Sequence, residues 1–355
     1  MSAPGAGASA QAVPVRSGFL LGRAADGIWI LGAPVIALAL TILGARTPLS
    51  REGFTLLGKP ESAMSIFSGM LTLGHLSIVF FRSHGDRQVF ARHRWRFIGV
   101  PLLLFLTIAL SSWTLMIALV LAVWWDVYHS SLQTFGLGRL YDLKAGVEGA
   151  PARSVDWWFN LIFYAGPVLG GASFADHWMH WEGFRRAGSP QLADLLLYTG
   201  QLNHLFRGVL LVVAPCLLIV ALTTYVRLHR SGRYRMPPQK AWLLGSTAVV
   251  SVISWGFNPF GQAFFTMNYF HAVQYFAIIW YAERGVLTSP FKHLPPRAGA
   301  AAGLALLIGA GMFYGVWAKF LGESSHLAMS LVLTVSILHF WYDGFIWSVS
   351  KKQIR

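Results

Sequence analysis

The sequence predicts an all-α protein, a polytopic integral-membrane helical bundle of about ten transmembrane helices with both termini in the cytoplasm (N-in, C-in). Three observations lead there. Of 355 residues, 55% are hydrophobic and only 12% are charged, against about a quarter charged in soluble domains. Apolar runs on the scale of roughly 20 residues, the length that crosses a bilayer as a helix, recur along the chain. The Lys and Arg residues that give a net charge of +14 concentrate in alternate connections, as membrane topology requires.

Taken in order, residues 1–24 read as a disordered cytoplasmic tail. Met1 to Val15 is Ala, Gly, Ser and Pro with no charge, and it lacks the basic, apolar and cleavage regions of a secretory signal. Residues 25–350 form one transmembrane helical domain, and 351–355 a basic cytoplasmic tail. The first span is Gly27 to Ala45. The second is Ala63 to Arg82, with His75 after Gly74. Ser83 to Arg96 reads as an arginine-rich loop that also holds His84 and His93, an anionic-lipid surface by composition. Phe97 to Leu110 is the third span, and Ser111-Ser112 a tight turn into the fourth, which begins at Trp113 and ends near Gly136 or Gly138.

Asp156 to Ser173 is the fifth span, interrupted by Gly166-Pro167 and Gly170-Gly171, which permit a kink or close helix contact. Phe174 to Gly200 is a polar connection in which His177 and His180 suggest an exposed amphipathic turn at the interface. The sixth span, Gln201 to Val226, carries Asn203, His204 and Arg207 near its start. It also holds Cys216, the single cysteine, which reads as a small core residue; one cysteine forms no intramolecular disulfide or thiolate cluster. A basic loop from Arg227 to Lys240 precedes the seventh span, Ala241 to Trp255, and Asn258 to Gly261 is a turn. The last three spans are Phe264 to Ala282, Ala298 to Ala318 and Leu327 to Ser350.

Alternating these spans from an inside N-terminus puts 21 basic residues on the cytoplasmic side and 6 on the other, with Arg207 inside a span. That bias sets the orientation. It also replaces the nucleic-acid reading that a net positive charge would carry in a soluble chain, so no nucleic-acid partner is expected. The expected partners are the lipid bilayer and a hydrophobic small molecule, and the expected location is a membrane of the bacterial inner (cytoplasmic) type.

The chemistry lies in the polar stripes of these spans. Asp126, His129 and Gln133 are spaced i, i+3, i+7 after an apolar run, so they share a helical face. Asn268, His271 and Gln274 form a second stripe, His339 and Asp343 a third. Polar groups inside lipid are expensive and face the bundle interior. Counting from each histidine to the next cytoplasmic basic residue (Arg82, Arg139, Arg284, Lys351) gives offsets of roughly 10 to 20 Å at the helical rise. His75, His129, His271 and His339 therefore share one layer. Four imidazoles at matched depth are the expected metal ligands. Asp126 and Asp343 are the expected carboxylate partners of His129 and His339. Gln133, Asn268 and Gln274 are expected to orient imidazole N–H groups or to bind water. Interleaved aromatic residues, Trp124, Trp125, Tyr128, Tyr269, Phe270, Tyr275, Phe276, Phe340, Trp341, Tyr342 and Trp347, would wall an apolar pocket that excludes water.

There is no phosphate loop, dinucleotide fingerprint, His-Glu-x-x-His or Gly-x-Ser-x-Gly, which removes several common chemistries. The His-x-x-x-His and His-x-x-His-His boxes of membrane desaturases and the adjacent His-His pair of haem-copper oxidases are absent too. At the level of architecture, the scatter of His75, His129, His271 and His339 over separate spans resembles the integral-membrane oxygenases that cleave carotenoids, which place iron-binding histidines on several spanning helices. The resemblance carries no contiguous motif and assigns no substrate. The ending from His339 to Trp347 also looks like that of other polytopic membrane proteins, and brings no activity with it.

The leading expectation is a membrane oxygenase or oxidoreductase with a His/Asp-bound metal, iron before zinc or copper, acting with dioxygen on a lipophilic substrate. Because no soluble redox domain is present, electrons would come from a partner protein or a quinone. Two alternatives stay open: a haem-binding electron carrier with two axial histidines, and a proton-coupled transporter with Asp126, His129, His271 and Asp343 as a relay.

Overall fold

The computed structural model describes residues 18–45, 47–51, 53–171, 174, 177, 184–185 and 188–347. Met1 to Val15, His180 and the basic tail at 351–355 lie outside the described residues. Within them the chain is helical apart from one antiparallel pair, β1 (Phe54–Leu56) and β2 (Lys59–Glu61).

The helices are α1 (Arg23–Trp29), α2 (Ala33–Gly44), α3 (Pro48–Arg51), α4 (Ala63–Ser83), α5 (Arg87–Ala109), α6 (Ser112–Lys144), α7 (Arg153–Asn160) and α8 (Gly166–Gly170). They continue with α9 (Pro190–Gly200), α10 (Asn203–Arg230), α11 (Pro238–Phe257), α12 (Phe260–Thr288), α13 (Pro296–Leu321) and α14 (His326–Ile346). Five of them, α4, α6, α10, α13 and α14, are long and apolar enough to cross a membrane, and α1 with α2, bent by 43°, makes a sixth if the pair is one span. These helices are compatible with an integral membrane protein. The long helix α12 carries Asn268, His271, Gln274, Glu283 and Arg284, which lower its hydropathy.

Local sequence explains the boundaries. Ser62, Ser111 and Ser325 cap α4, α6 and α14 by accepting from the amides of Ser65, Thr114 and Ala328, which satisfies a donor that the first turn leaves open. Asp86 accepts from the amides of Gln88 and Val89 and starts α5 at Arg87. The arginine-rich segment is therefore largely helix, with a kink at His93, rather than loop. His84 bonds Ser83 and the Phe97 carbonyl, while His93 packs on Phe97 and Phe345.

Helix α6 runs past Gly136 and Gly138 to Lys144. At about 1.5 Å per residue its 33 residues outreach a hydrocarbon core of about 30 Å. Its last turns continue because Arg139, Tyr141 and Asp142 find buried partners on neighbouring elements. The fifth expected span is α7 and α8 joined by a π-helical turn at Leu161–Ala165, and Pro190–Gly200 of the expected polar connection is helical.

Helix α12 is the axis, packed against α2, α4, α11 and α13. Helices α4 and α13 approach closely. A Cβ at Gly74 would lie 2.6 Å from the Gly311 carbonyl oxygen, and one at Gly315 would lie 2.0 Å from that of Met70. Only glycine permits such backbone contact. The seam fixes α4 at the turn that carries His75. At the other edge α10 is mostly exposed, and Cys216 is exposed on it rather than in the core, because only one flank of α10 meets the bundle. Its Arg207 donates from Nε to the Gly170 carbonyl at 2.7 Å, meeting the broken end of α8.

Candidate metal centre

Helices α4, α6, α12 and α14 each contribute one imidazole to a closed ring. Ring centroids are 4.9 Å apart for His75 and His271, 5.1 Å for His271 and His129, 4.8 Å for His129 and His339, and 5.0 Å for His339 and His75. Each ring stands steeply to its neighbours, at 70° to 90°. All four residues are buried.

Their hydrogen bonding is incomplete. His75 Nδ1 bonds the Thr72 carbonyl one turn earlier, which makes Nδ1 the protonated nitrogen and leaves the Nε2 lone pair free. That Nε2 is buried without a hydrogen-bond partner, as are both ring nitrogens of His271. His129 Nε2 and His339 Nε2 lie 3.1 Å apart. Buried polar atoms are nearly always satisfied, so orphaned lone pairs on two helices of one ring mark a place for an electron-pair acceptor.

A carboxylate completes one side. Tyr275 donates to Asp343 Oδ1 at 2.7 Å and Trp347 Nε1 donates to the same oxygen at 2.8 Å. The other oxygen, Oδ2, faces His129 Nε2 at 3.6 Å and His339 Nε2 at 3.9 Å. Two donor sets result, His75 with His271 and His339, and His129 with His339 and Asp343; within each, the ligand atoms lie within 4.8 Å of one another. Neutral imidazole with carboxylate is the donor chemistry of zinc, copper and non-haem iron.

The other expected residues sit elsewhere. Asp126 does not pair with His129; it interacts with Asn268 and lies near Tyr164. Asn268 Nδ2 bonds the Phe264 carbonyl. Gln133 and Gln274 do not hydrogen-bond the imidazoles. Gln133 Nε2 donates to the His271 carbonyl at 3.0 Å and to Gln274 Oε1 at 3.3 Å, and Gln274 Nε2 donates to the Ile30 carbonyl at 2.8 Å. These amides hold the backbone that carries His271 rather than its ring. His177, expected on an exposed turn, is buried against Trp255, Phe260 and Trp124, since a ring flanked by three aromatic groups loses little by leaving water.

A cavity of about 690 Å³ adjoins the ring on the His129 and Asp343 side, within the usual range for small-molecule sites. Its walls include Trp125, Tyr128, Tyr275, Phe340, Trp341 and Trp347, all from the aromatic set seen in the sequence. Of that set, Trp124, Tyr269, Phe270, Phe276 and Tyr342 do not line it.

No family model, curated protein or solved structure matches the chain.

Sequence reading missed the buried ionic contacts that frame the site. Arg82, two turns after His75, pairs with Glu283 of α12, donates to the Ile346 carbonyl at 3.1 Å and stacks on Trp347 at 4.4 Å. Lys240 of α11 reaches Asp142 at 2.8 Å, Asp156 at 2.5 Å and the Tyr234 hydroxyl at 2.8 Å. In the sequence, Arg82 and Lys240 count as cytoplasmic loop charges. The signal that separates them is a basic residue directly continuous with an apolar run, a turn or less from its end.

Proposed function

We propose that this chain is a membrane metalloenzyme whose four-histidine ring and Asp343 hold a metal ion, iron in the leading reading, for an oxygenase or oxidoreductase reaction on a lipophilic substrate. The observation that carries the proposal is the closed ring of imidazoles with unpartnered nitrogens at His75 and His271, set against an aromatic cavity. When bound, the metal would supply a Lewis-acidic, redox-active centre for dioxygen. The chain's own residues do the rest. Thr72 sets the His75 tautomer, Tyr275 and Trp347 hold Asp343 toward His129 and His339, and Phe340 and Trp125 keep water from the cavity wall.

The ring favours a bare ion over haem. A porphyrin held by two of these histidines would need the space filled by the other two, whose rings stand 4.8 to 5.1 Å from each neighbour. A proton relay through Asp126 draws no support either, because Asp126 faces Asn268 rather than the ring. The same proposal includes ten crossings in a bacterial cytoplasmic membrane, an N-in and C-in orientation that the 21 to 6 split of basic residues supports, and an external electron donor such as a partner protein or quinone.

The test is iron, zinc and copper per chain in the gently purified protein and in His271→Ala. Bound metal in the wild type that disappears in the variant is the expected result. A wild-type chain that carries no metal and takes none up on reconstitution overturns the proposal.

A further inference from the structure

The cavity beside the ring is polarised. Its lining contains one carboxylate, Asp343, at the histidine end, and two cations, Arg139 and Arg153. On α6, ten residues separate His129 from Arg139, which places the two roughly 15 Å apart along the helix axis. Between them Leu132, Phe135 and Leu137 line the wall, with Trp157 and Ile278 from other helices.

The cations are placed to receive something. Arg139 uses Nη1 for Asp142 and the Gly149 carbonyl. Its Nε and Nη2 make no hydrogen bond among the described residues, so the fork is anchored on one side and open on the other. Arg153 is exposed at the start of α7, one turn before Trp157, and pairs with no acid among the described residues. Asp142 and Asp156 balance both Lys240 and Arg139, the latter at 3.1 and 3.8 Å, so Arg153 carries the uncompensated charge at this end and Arg139 adds open N–H donors. Guanidinium N–H groups left open in this way recognise carboxylate or phosphate oxygens. Between its ends the cavity is mainly apolar, with Gln133 as a polar exception, which disfavours a free polar anion at its depth.

We propose that the cavity binds a single-chain amphiphile with an anionic head, the head at Arg139 and Arg153 and the chain extending along α6 toward His129 and Asp343. This rests on the metalloenzyme reading in treating the cavity as the substrate site, and it names the substrate class. A consequence is that the position presented to the ring is measured from the charged head, so chain length decides which carbon arrives there.

The test reads binding, not turnover. The full chain in nanodiscs of phosphatidylcholine is titrated with a brominated long-chain fatty acid and with the brominated alcohol of the same chain. Tryptophan quenching is followed, and Trp157→Phe identifies the component that comes from the cavity. Both chelator-treated and iron-supplemented protein are used. The acid is expected to bind roughly tenfold more tightly than the alcohol. Arg153→Gln should abolish that preference while leaving alcohol binding unchanged, and Arg153→Lys should restore part of it. Equal binding of acid and alcohol, or an acid preference that survives Arg153→Gln, overturns the proposal. Displacement of the acid by phosphatidylglycerol at equal mole fraction also overturns it, by assigning the cations to a two-chain bilayer lipid. Acid preference in a chain that holds no metal keeps the proposal and removes only the metal reading.

Discussion

His129 Nε2 and His339 Nε2 approach to 3.1 Å across the interface of α6 and α14, with Asp343 Oδ2 beyond 3.5 Å from both. Two neutral imidazoles meeting nitrogen to nitrogen share one proton or one cation between them. The carboxylate does not reach either ring in a normal hydrogen bond, so its role is electrostatic until a ligand draws the three donors together. Asp343→Asn keeps the shape and the bonds from Tyr275 and Trp347 but removes the charge. Metal affinity should fall by roughly 10 to 100-fold. Asp126→Asn, one turn earlier on α6 and facing Asn268, should leave metal content near the wild-type value. Metal titration of the two variants side by side checks both statements, and equal losses would contradict the assignment.

The pair Arg82 and Glu283 locks α4 to α12 two turns from His75, with both side chains almost fully buried. Removing one member strands the other, which costs about 3–5 kcal/mol for a buried pair. Glu283→Gln should therefore lower the unfolding midpoint in mixed detergent micelles clearly. Replacing both, Arg82→Met with Glu283→Leu, should recover much of the loss, because two apolar groups carry no desolvation cost. A double variant less stable than either single one would show that the bond from Arg82 to the Ile346 carbonyl matters more than the ion pair.

Much of this arrangement is visible in the sequence one helix at a time. His75, His129, His271 and His339 each interrupt an apolar run, and their distances from the basic belt put them at one depth. The helical class follows from the same runs. What the sequence hides is rotation. Asp126 and His129 are three residues apart and share a face only loosely, since three steps leave them about 60° apart and 4.5 Å offset along the axis. On α12 Asn268 lies three residues before His271, as Asp126 does before His129 on α6, so Asp126 meets Asn268 at one level while His129 meets His271 in the ring at the next. Long-range pairing is hidden too. Lys240 finds Asp142 and Asp156 across 98 and 84 residues, and no local pattern announces a partner at that distance. Cys216 shows the converse, an apolar neighbourhood in sequence that is an exposed helix flank in the fold.

Glycine packing next to His75 gives a third expectation. Gly315→Ala places a methyl group against the Met70 carbonyl oxygen at 2.0 Å, so α13 must move away from α4. Overpacking of this kind costs about 1–3 kcal/mol. Because the displaced turn of α4 lies close to His75, metal affinity should fall along with stability. Gly309→Ala, where an added Cβ meets nothing within 4 Å, serves as the control on the same helix. Thermal unfolding and metal content of the two variants separate seam packing from a general effect of substituting α13.

The last expectation concerns orientation. With 21 of the 27 basic residues outside spans on one set of alternate segments, the end of α10 at Arg230 should face the cytoplasm. Cys216 is the single native thiol and is exposed on α10, so Cys216→Ser removes the background at little structural cost. A cysteine placed at Arg230 in that variant should resist a membrane-impermeant maleimide in intact cells and react after permeabilisation. A cysteine placed at Leu327, at the opposite end of α14 from Asp343, should react in intact cells. Since α14 runs from Leu327 down to Asp343, the pair also reports which side of the membrane the Asp343 end of the cavity approaches. Labelling of the Arg230 position in intact cells would reverse the orientation, and with it the cytoplasmic side expected for Arg139.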